Sequence, residues 1–498
     1  MSSGAHGSEV ARPEADAREA PHGPRLSHVA GYGVLRSFVE GLYGVRGMVL
    51  AGVLGAELFG LWSLVRIAQQ YLAFASLGIP RGLEVEVSAA SGRDGAPARE
   101  ALAFGRSAVA YTLVVFGALS LLIAAAALLA PDTRMQLVLG GLALGLLAER
   151  LWFFVATFMR ASGLLWRFAW YELAHATLHL LLAVALAAAF GLWGAFAGFL
   201  LAHLAGVALA CRHVPLRPVW SRDHLGPLVR IGIPVSVSTL FYTALVSVDR
   251  LMVGAFAGVE ALGHYAFAVA VSGIGVVIGH VIRTVLFPHV FQLARRAGAD
   301  ESSDYLDQAL LPFAWALPPV FCLAALALGP AIELILPSYA VAVPAARLFI
   351  FIGVVQGLAM VANLGVVASG RQRLLPWLTG GAFVANLLFS AGVLSLGLGL
   401  EILAATALLC RIGYAIALVL AARGITTGWR EGRRMALRLG VPIVLCAALA
   451  VLLGHVFPEP DLREAGLVLC LYVLGIAPLV AGVLRSVRQA GRPGRAGA

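Results

Sequence analysis

Charged and polar side chains recur inside stretches that are otherwise apolar, and their spacing is helical. Arg36 and Glu40 are four apart and share a helix face with Gly44 and Gly47; Arg46 lies ten positions beyond Arg36, roughly 80° around the helix. Arg66, Gln69 and Gln70 follow, with Arg81 near the same face fifteen residues on. Glu172, His175 and His179 are spaced by three and four on one face. Asp249 and Arg250 are adjacent, and His280 and Arg283 are one turn apart. A charge at mid-bilayer costs at least about 2.5–3.5 kcal/mol on insertion scales, so such residues face protein or a water-filled cavity.

Each group has a functional and a plain reading. Arg36, Glu40 and Arg46 form the wall of a substrate cavity, or one structural ion pair with Arg46 snorkelling to the headgroups. Arg66 and Arg81 near opposite ends of their span can also snorkel; Gln69 and Gln70 are harder to explain that way. Glu172, His175 and His179 form a hydrated, titrating face suited to proton transfer, or hydrogen-bonded packing between helices. As a zinc site they lack a fourth ligand. Gln356 and Asn363, then Thr379, Asn386 and Ser390, then Arg411 read as packing glue. Arginine outnumbers acid in the set, and guanidinium matches phosphate oxygens in a bidentate fork. An anionic passenger, such as a sugar-bearing lipid pyrophosphate, fits this; a hydrophobic cation does not. The substrate-binding candidates are therefore Arg36, Arg46, Arg66, Gln69, Gln70 and Arg283. The coupling or gating candidates are Glu40, Glu172, His175, His179, Asp249 and Arg250.

These side chains must be held by membrane helices. The 498-residue chain is 60% apolar and 12% charged, where a soluble protein carries about a quarter charged residues. Apolar stretches of about 20 residues recur from Tyr32 to Val487. The fold expected is an all-α polytopic membrane protein with about fourteen spans. All 36 basic residues other than histidine are arginine, which reads first as codon composition. The five cysteines have neither pair nor metal spacing, so no disulfide framework follows.

The chain also repeats itself. Gly55-Ala56-Glu57-Leu58-Phe59-Gly60-Leu61-Trp62 and Gly258-Val259-Glu260-Ala261-Leu262-Gly263-His264-Tyr265 share the pattern Gly-x-Glu-x-apolar-Gly-x-aromatic at an offset of 203 (55 to 258). Each copy links two apolar segments. Six spans per half is an even number, so the repeat is parallel, about an axis along the membrane normal, as in two-lobed transporters. The organisation expected is a polar tail over 1–29, an N-lobe over 30–211, a linker over 212–227 and a C-lobe over 228–422. A basic linker over 423–436, two appended spans over 437–487 and a basic tail over 488–498 complete it. The tail over 1–29 lacks the apolar stretch of a signal peptide and reads as disordered. Arginines crowd one set of links (Arg93, Arg99, Arg160, Arg167, Arg212, Arg217, Arg222), while the opposite links carry Glu57, Asp132, Glu260 and Glu333. By the positive-inside rule the arginine side is cytoplasmic, with both termini inside. Subtracting the repeat offset from Asp249 lands on Arg46. Opposite charges at matching positions predict a gate in which Arg46 meets Asp249 across the lobes; the alternative is local pairing.

Gly55–Trp62, followed by a span ending Leu77-Gly78-Ile79-Pro80-Arg81, resembles the start of the polysaccharide-unit flippases. Ile231-Gly232-Ile233-Pro234, Asp249-Arg250-Leu251-Met252-Val253-Gly254 and Leu262-Gly263-His264-Tyr265 resemble their second half. Phe287-Pro288, Pro337-Ser338-Tyr339 and Ala368-Ser369-Gly370-Arg371 do likewise. The resemblance covers about residues 30–425 and places the chain with the multidrug/oligosaccharidyl-lipid/polysaccharide exporter superfamily. It implies two lobes, a central cavity and alternating access. The implied substrate is an isoprenoid-pyrophosphate-linked oligosaccharide, flipped across the bacterial cytoplasmic membrane for O-antigen or exopolysaccharide assembly. The expected partners are that glycan lipid, the membrane lipids and polysaccharide polymerase and chain-length machinery, not nucleic acid. One chain would supply the whole path, so a monomer suffices. No phosphate-binding glycine loop with its lysine is present, so ATP is not the direct drive and no cofactor is expected. The competing readings are a peptidoglycan-precursor lipid flippase and a drug/cation antiporter of the same superfamily. A glycan polymerase or ligase would need a sizeable outer loop with reactive groups, and none is evident. A non-transporting scaffold would tolerate neutralising Arg36, Glu40 and Arg46.

Overall fold

The computed structural model describes residues 26–90, 99–273, 275–283, 286, 290, 299–423 and 429–456. Every regular element among them is helical. In chain order these are α1 (Leu26–Leu72), α2 (Ile79–Ala90), α3 (Arg99–Leu129), α4 (Thr133–Ala161), α5 (Leu165–Ala210), α6 (Arg222–Phe256) and α7 (Gly258–Val271). They continue as α8 (Gly275–Arg283), α9 (Ala299–Ile335), α10 (Val343–Ala368), α11 (Leu375–Ser395), α12 (Gly399–Arg423) and α13 (Trp429–Val456).

Nine of the described helical segments are long and apolar enough to cross a membrane, ten if the bent pair α7 and α8 is one span. Two of them run 46 and 49 residues. At 1.5 Å rise per residue each is more than twice as long as the roughly 30 Å hydrocarbon layer is thick, so each must cross twice. Both break at a glycine: Gly55 (φ 74, ψ 171) in α1 and Gly191 (φ 60, ψ −141) in α5. Only glycine adopts these conformations without a Cβ clash. The expected span over 60–82 is interrupted at Leu77 and Gly78, both at positive φ, and resumes as α2. The expected span over 466–486 and the tails over 1–25 and 488–498 lie outside the described residues.

The N-terminal half packs α1 on α5, α3 on α4 and α4 on α5. In the C-terminal half α10 is central, touching α12, α9 and α7, while α6 lies on α11 and α13 on α9. Apolar residues surround α10, so it is buried on every side.

The halves meet through the duplicated sequence. The first glycine of each copy, Gly55 and Gly258, takes positive φ (74° and 90°) and starts a helical arm. The second glycine of each copy lies against the other copy. A Cβ on Gly60 would strike the Val259 carbonyl, and one on Gly263 would strike the Ala56 carbonyl. Because Gly60 matches Gly263 and Ala56 matches Val259 at the repeat offset, the two contacts are related by the pseudo-two-fold. Tyr339 Oη adds a hydrogen bond to the Ala51 carbonyl (3.0 Å) at the same end. At the other end α2 meets α6, with Gly78 against Gly232 and Gly82 against Leu228. Tyr71 and Ser247 join the same two faces between them, hydroxyl to hydroxyl at 3.0 Å.

Candidate functional site

The first arms of α1 and α5 run side by side and bring the N-terminal charges into one seam. Arg36 bridges Glu40 and Glu172. One step along, Tyr43 Oη and His175 Nδ1 are hydrogen-bonded at 3.0 Å. Then Arg46 Nη1 donates to His179 Nδ1 at 2.8 Å. The order 36, 43, 46 on one helix and 172, 175, 179 on the other follows from helices rising in the same direction with a turn every 3.6 residues.

The two sides of the seam differ in exposure. On α1 the side chains of Arg36 and Glu40 are 30% and 27% exposed, and Tyr43 and Arg46 are also half-buried. On α5 Glu172, His175 and His179 are buried. A polar ligand therefore meets the seam from its α1 side. His203, from the second arm of α5, closes the inner end, with ring centroids 4.7 Å from His175 and 5.1 Å from His179. Its Nδ1 donates to the Phe199 carbonyl at 2.7 Å. Trp152 of α4 stacks on His175 at 4.2 Å.

Beside this seam lies a second cluster. Arg66 pairs with Glu149 of α4 at 2.9 Å, hydrogen-bonds Gln69 and sits over the Phe199 ring at 4.5 Å. Arg150 reaches the other Glu149 oxygen at 3.3 Å. Gln70 is exposed and points away from this group, so the structure separates it from its neighbour Gln69.

In the C-terminal half Asp249 is completely buried. It accepts from Arg411 Nη2 at 3.1 Å and from Tyr265 Oη at 3.2 Å. Arg250 donates its backbone N–H to Asp249 and its guanidinium to the Val246 carbonyl. The expected Arg46–Asp249 gate is not formed here. Each group has its partner within its own half: Arg46 hydrogen-bonds His179, and Asp249 pairs with Arg411. Arg283, at the end of α8, is exposed. The structure thus gathers Arg36, Glu40, Arg46, Glu172, His175 and His179, sets Arg66 and Gln69 beside them, and leaves Asp249, Arg250, Arg283 and Gln70 elsewhere.

Four participants escaped the sequence reading or were given a lesser role: His203, Glu149, Arg150 and Arg411. All but His203 were already marked by the cost of a charge inside an apolar segment. His203 carries no such signal.

A family model described as polysaccharide biosynthesis protein matches residues 49–341, more than half of the chain. The chain belongs to this polysaccharide biosynthesis family. No curated protein matches it in sequence. Solved structures resemble it at low identity. A lipid II flippase, MurJ, in an inward closed conformation superposes with a TM-score of 0.60 at 12% identity, covering 93% of this chain and 99% of that one. A multidrug resistance MATE family transporter of the MOP superfamily in its inward-facing conformation gives 0.56 at 15% identity, covering 84% and 96%. MATE in the straight conformation gives 0.56 at 16%, covering 83% and 96%. This family member is therefore a multi-pass membrane protein with the fold of those transporters and that flippase.

Proposed function

We propose that the protein is a flippase for isoprenoid-pyrophosphate-linked oligosaccharide units in surface polysaccharide assembly. The reading is carried by one conjunction: a polysaccharide biosynthesis family member has a two-lobed exporter fold. The N-terminal seam, with the half-buried guanidinium of Arg36 at one end, supports it. A guanidinium at the mouth of such a seam attracts phosphate oxygens and pairs with them bidentately. The arginine-rich end faces the cytoplasm, with both termini inside, in the inner membrane of a bacterium.

The mechanism is rocking of one lobe against the other. The glycan head crosses in the polar path while the isoprenoid tail stays in lipid. Arg36 receives the pyrophosphate, and Arg46 and Arg66 lie deeper. Glu40 and Glu172 hold Arg36 by ion pairs; an arriving anion competes with them, and a coupling proton or sodium ion compensates the carboxylate released. One chain performs the cycle, handing its product to the polymerase.

Deleting the gene in its host and quantifying isoprenoid-pyrophosphate-linked oligosaccharides by mass spectrometry tests this. Complete repeat units accumulate and surface polymer disappears if the reading holds, and the accumulated glycan names the substrate. Unchanged lipid-linked glycan and polymer would refute it.

A further inference from the structure

A second basic site lies at the arginine-rich end of the N-terminal half, apart from the seam. The start of α3, the turn between α4 and α5 and the linker after α5 enclose an open pocket of about 980 Å³. Arg106, Arg167, Arg212 and Arg217 all line it, with His213 and Trp166. The four arginines are exposed, and none forms an ion pair among the described residues. No acidic side chain is among the described lining residues. Arg36, Arg66 and Arg411, by contrast, each have a carboxylate partner. Four guanidinium groups brought to one pocket with no carboxylate among its described lining residues repel one another, and an anion relieves that repulsion.

The pocket is pre-formed. Val219 N–H donates to the Arg106 carbonyl at 3.2 Å, and Trp220 stacks on Tyr111 with centroids 6.1 Å apart and planes 18° off parallel. Val214 and Pro215 are buried, Pro215 against Gly105. The linker that supplies Arg212 and Arg217 is thus fixed to α3 rather than loose. The setting is also interfacial: Trp166, Trp170 and Trp220 are about half exposed around it, and tryptophans gather where membrane meets water. Basic pockets between membrane helices at such a level hold lipid head groups.

We propose that this pocket binds a lipid-borne phosphate, with Arg106, Arg167, Arg212 and Arg217 as its ligands. The phosphate comes from an anionic bilayer phospholipid or from the diphosphate of an isoprenyl carrier; both present the same oxygens to the same guanidinium groups. The site is separate from Arg36 and does not require that the chain be a flippase.

The full-length protein in neutral detergent, titrated and read by native mass spectrometry, tests it. The probes are dioctanoylphosphatidylglycerol, farnesyl pyrophosphate, inorganic pyrophosphate and, as a phosphate-free control, dioctanoylglycerol. At least one phosphate-bearing lipid binds stoichiometrically, and a combined Arg167→Gln, Arg212→Gln, Arg217→Gln variant weakens it by roughly tenfold or more. Single Arg212→Gln and Arg217→Gln variants, at exposed positions, show a smaller loss in the same direction if the triple variant does not fold. Tighter binding of farnesyl pyrophosphate than of phosphatidylglycerol marks the carrier as the ligand; the reverse order marks the bilayer. Binding equal in the variants and the parent, equal binding of dioctanoylglycerol, or binding of inorganic pyrophosphate alone overturns the proposal.

Discussion

In the N-terminal half, α1 and α5 bring Arg36, Glu40, Tyr43, Arg46, Glu172, His175 and His179 into a seam that is partly exposed along its α1 side. In the C-terminal half the repeat-related α6 carries a buried acid, Asp249, held by Arg411 and Tyr265 with no water contact. Positions 46 and 249 correspond under the repeat, yet they bear opposite charges and are answered by different kinds of partner. Duplication preserved the backbone contact between the halves and let the interior chemistry diverge. The partial exposure of the seam's α1 side suits it to meeting a ligand, and the sealed Asp249–Arg411 pair suits it to holding α6 and α12 together.

That contrast can be broken most forcefully at the sealed pair. Asp249→Leu leaves Arg411 buried without its carboxylate, and removing one partner of a buried pair costs about 3–5 kcal/mol. Thermal unfolding of the purified protein should show this loss, with Asp249→Leu plus Arg411→Leu recovering much of it. A single variant as stable as the parent would mean the pair is not architectural. Next come Gly60→Leu and Gly263→Leu. Each drives a side chain into the opposite carbonyl, and overpacking typically costs 1–3 kcal/mol, so about 2 kcal/mol each. The pseudo-two-fold predicts similar losses for the two; a large disparity in melting temperature would show that the halves do not share the contact equally.

The seam sharpens the comparison from the other side. Arg36→Gln should lower surface polymer per unit of membrane protein by roughly tenfold, about 1.4 kcal/mol, while moving the melting temperature much less than Asp249→Leu does. Equal effects on stability would erase the distinction between the two regions. The smallest effects separate adjacent glutamines. Gln69→Ala removes a buried side chain that hydrogen-bonds the half-buried Arg66 and costs about 1–2 kcal/mol, whereas Gln70→Ala, on the exposed side, stays within about 0.5 kcal/mol in unfolding measurements.

Much of this arrangement is legible in the amino-acid sequence. Lipid demands long apolar stretches with internally satisfied backbone, so α3, α4 and α10 stand out in the residues themselves. The faces of Arg36/Glu40 and Glu172/His175/His179 follow from helical spacing alone. What spacing cannot give is which face meets which helix. Arg46 and Asp249 looked like partners because the repeat aligns them, but a repeat says only that two sites are equivalent, and equivalent sites related by a two-fold need not touch. Gln69 and Gln70 differ by 100° of helix rotation, enough to bury one and expose the other, and neither residue type reveals which. The Glu149-Arg150 pair was visible as a charge cost within its apolar segment, yet its partner Arg66 lies 83 positions away.

The mirrored contact of Gly60 with Val259 and Gly263 with Ala56 has a further consequence. A surface patch that binds its own counterpart is the isologous interface of a symmetric homodimer, here covalently tethered by the segment after α5. Cutting the chain within that tether would leave each fragment carrying a complete half of a self-complementary seal. Co-expressed as two polypeptides, the fragments retain the recognition surface needed to reassemble.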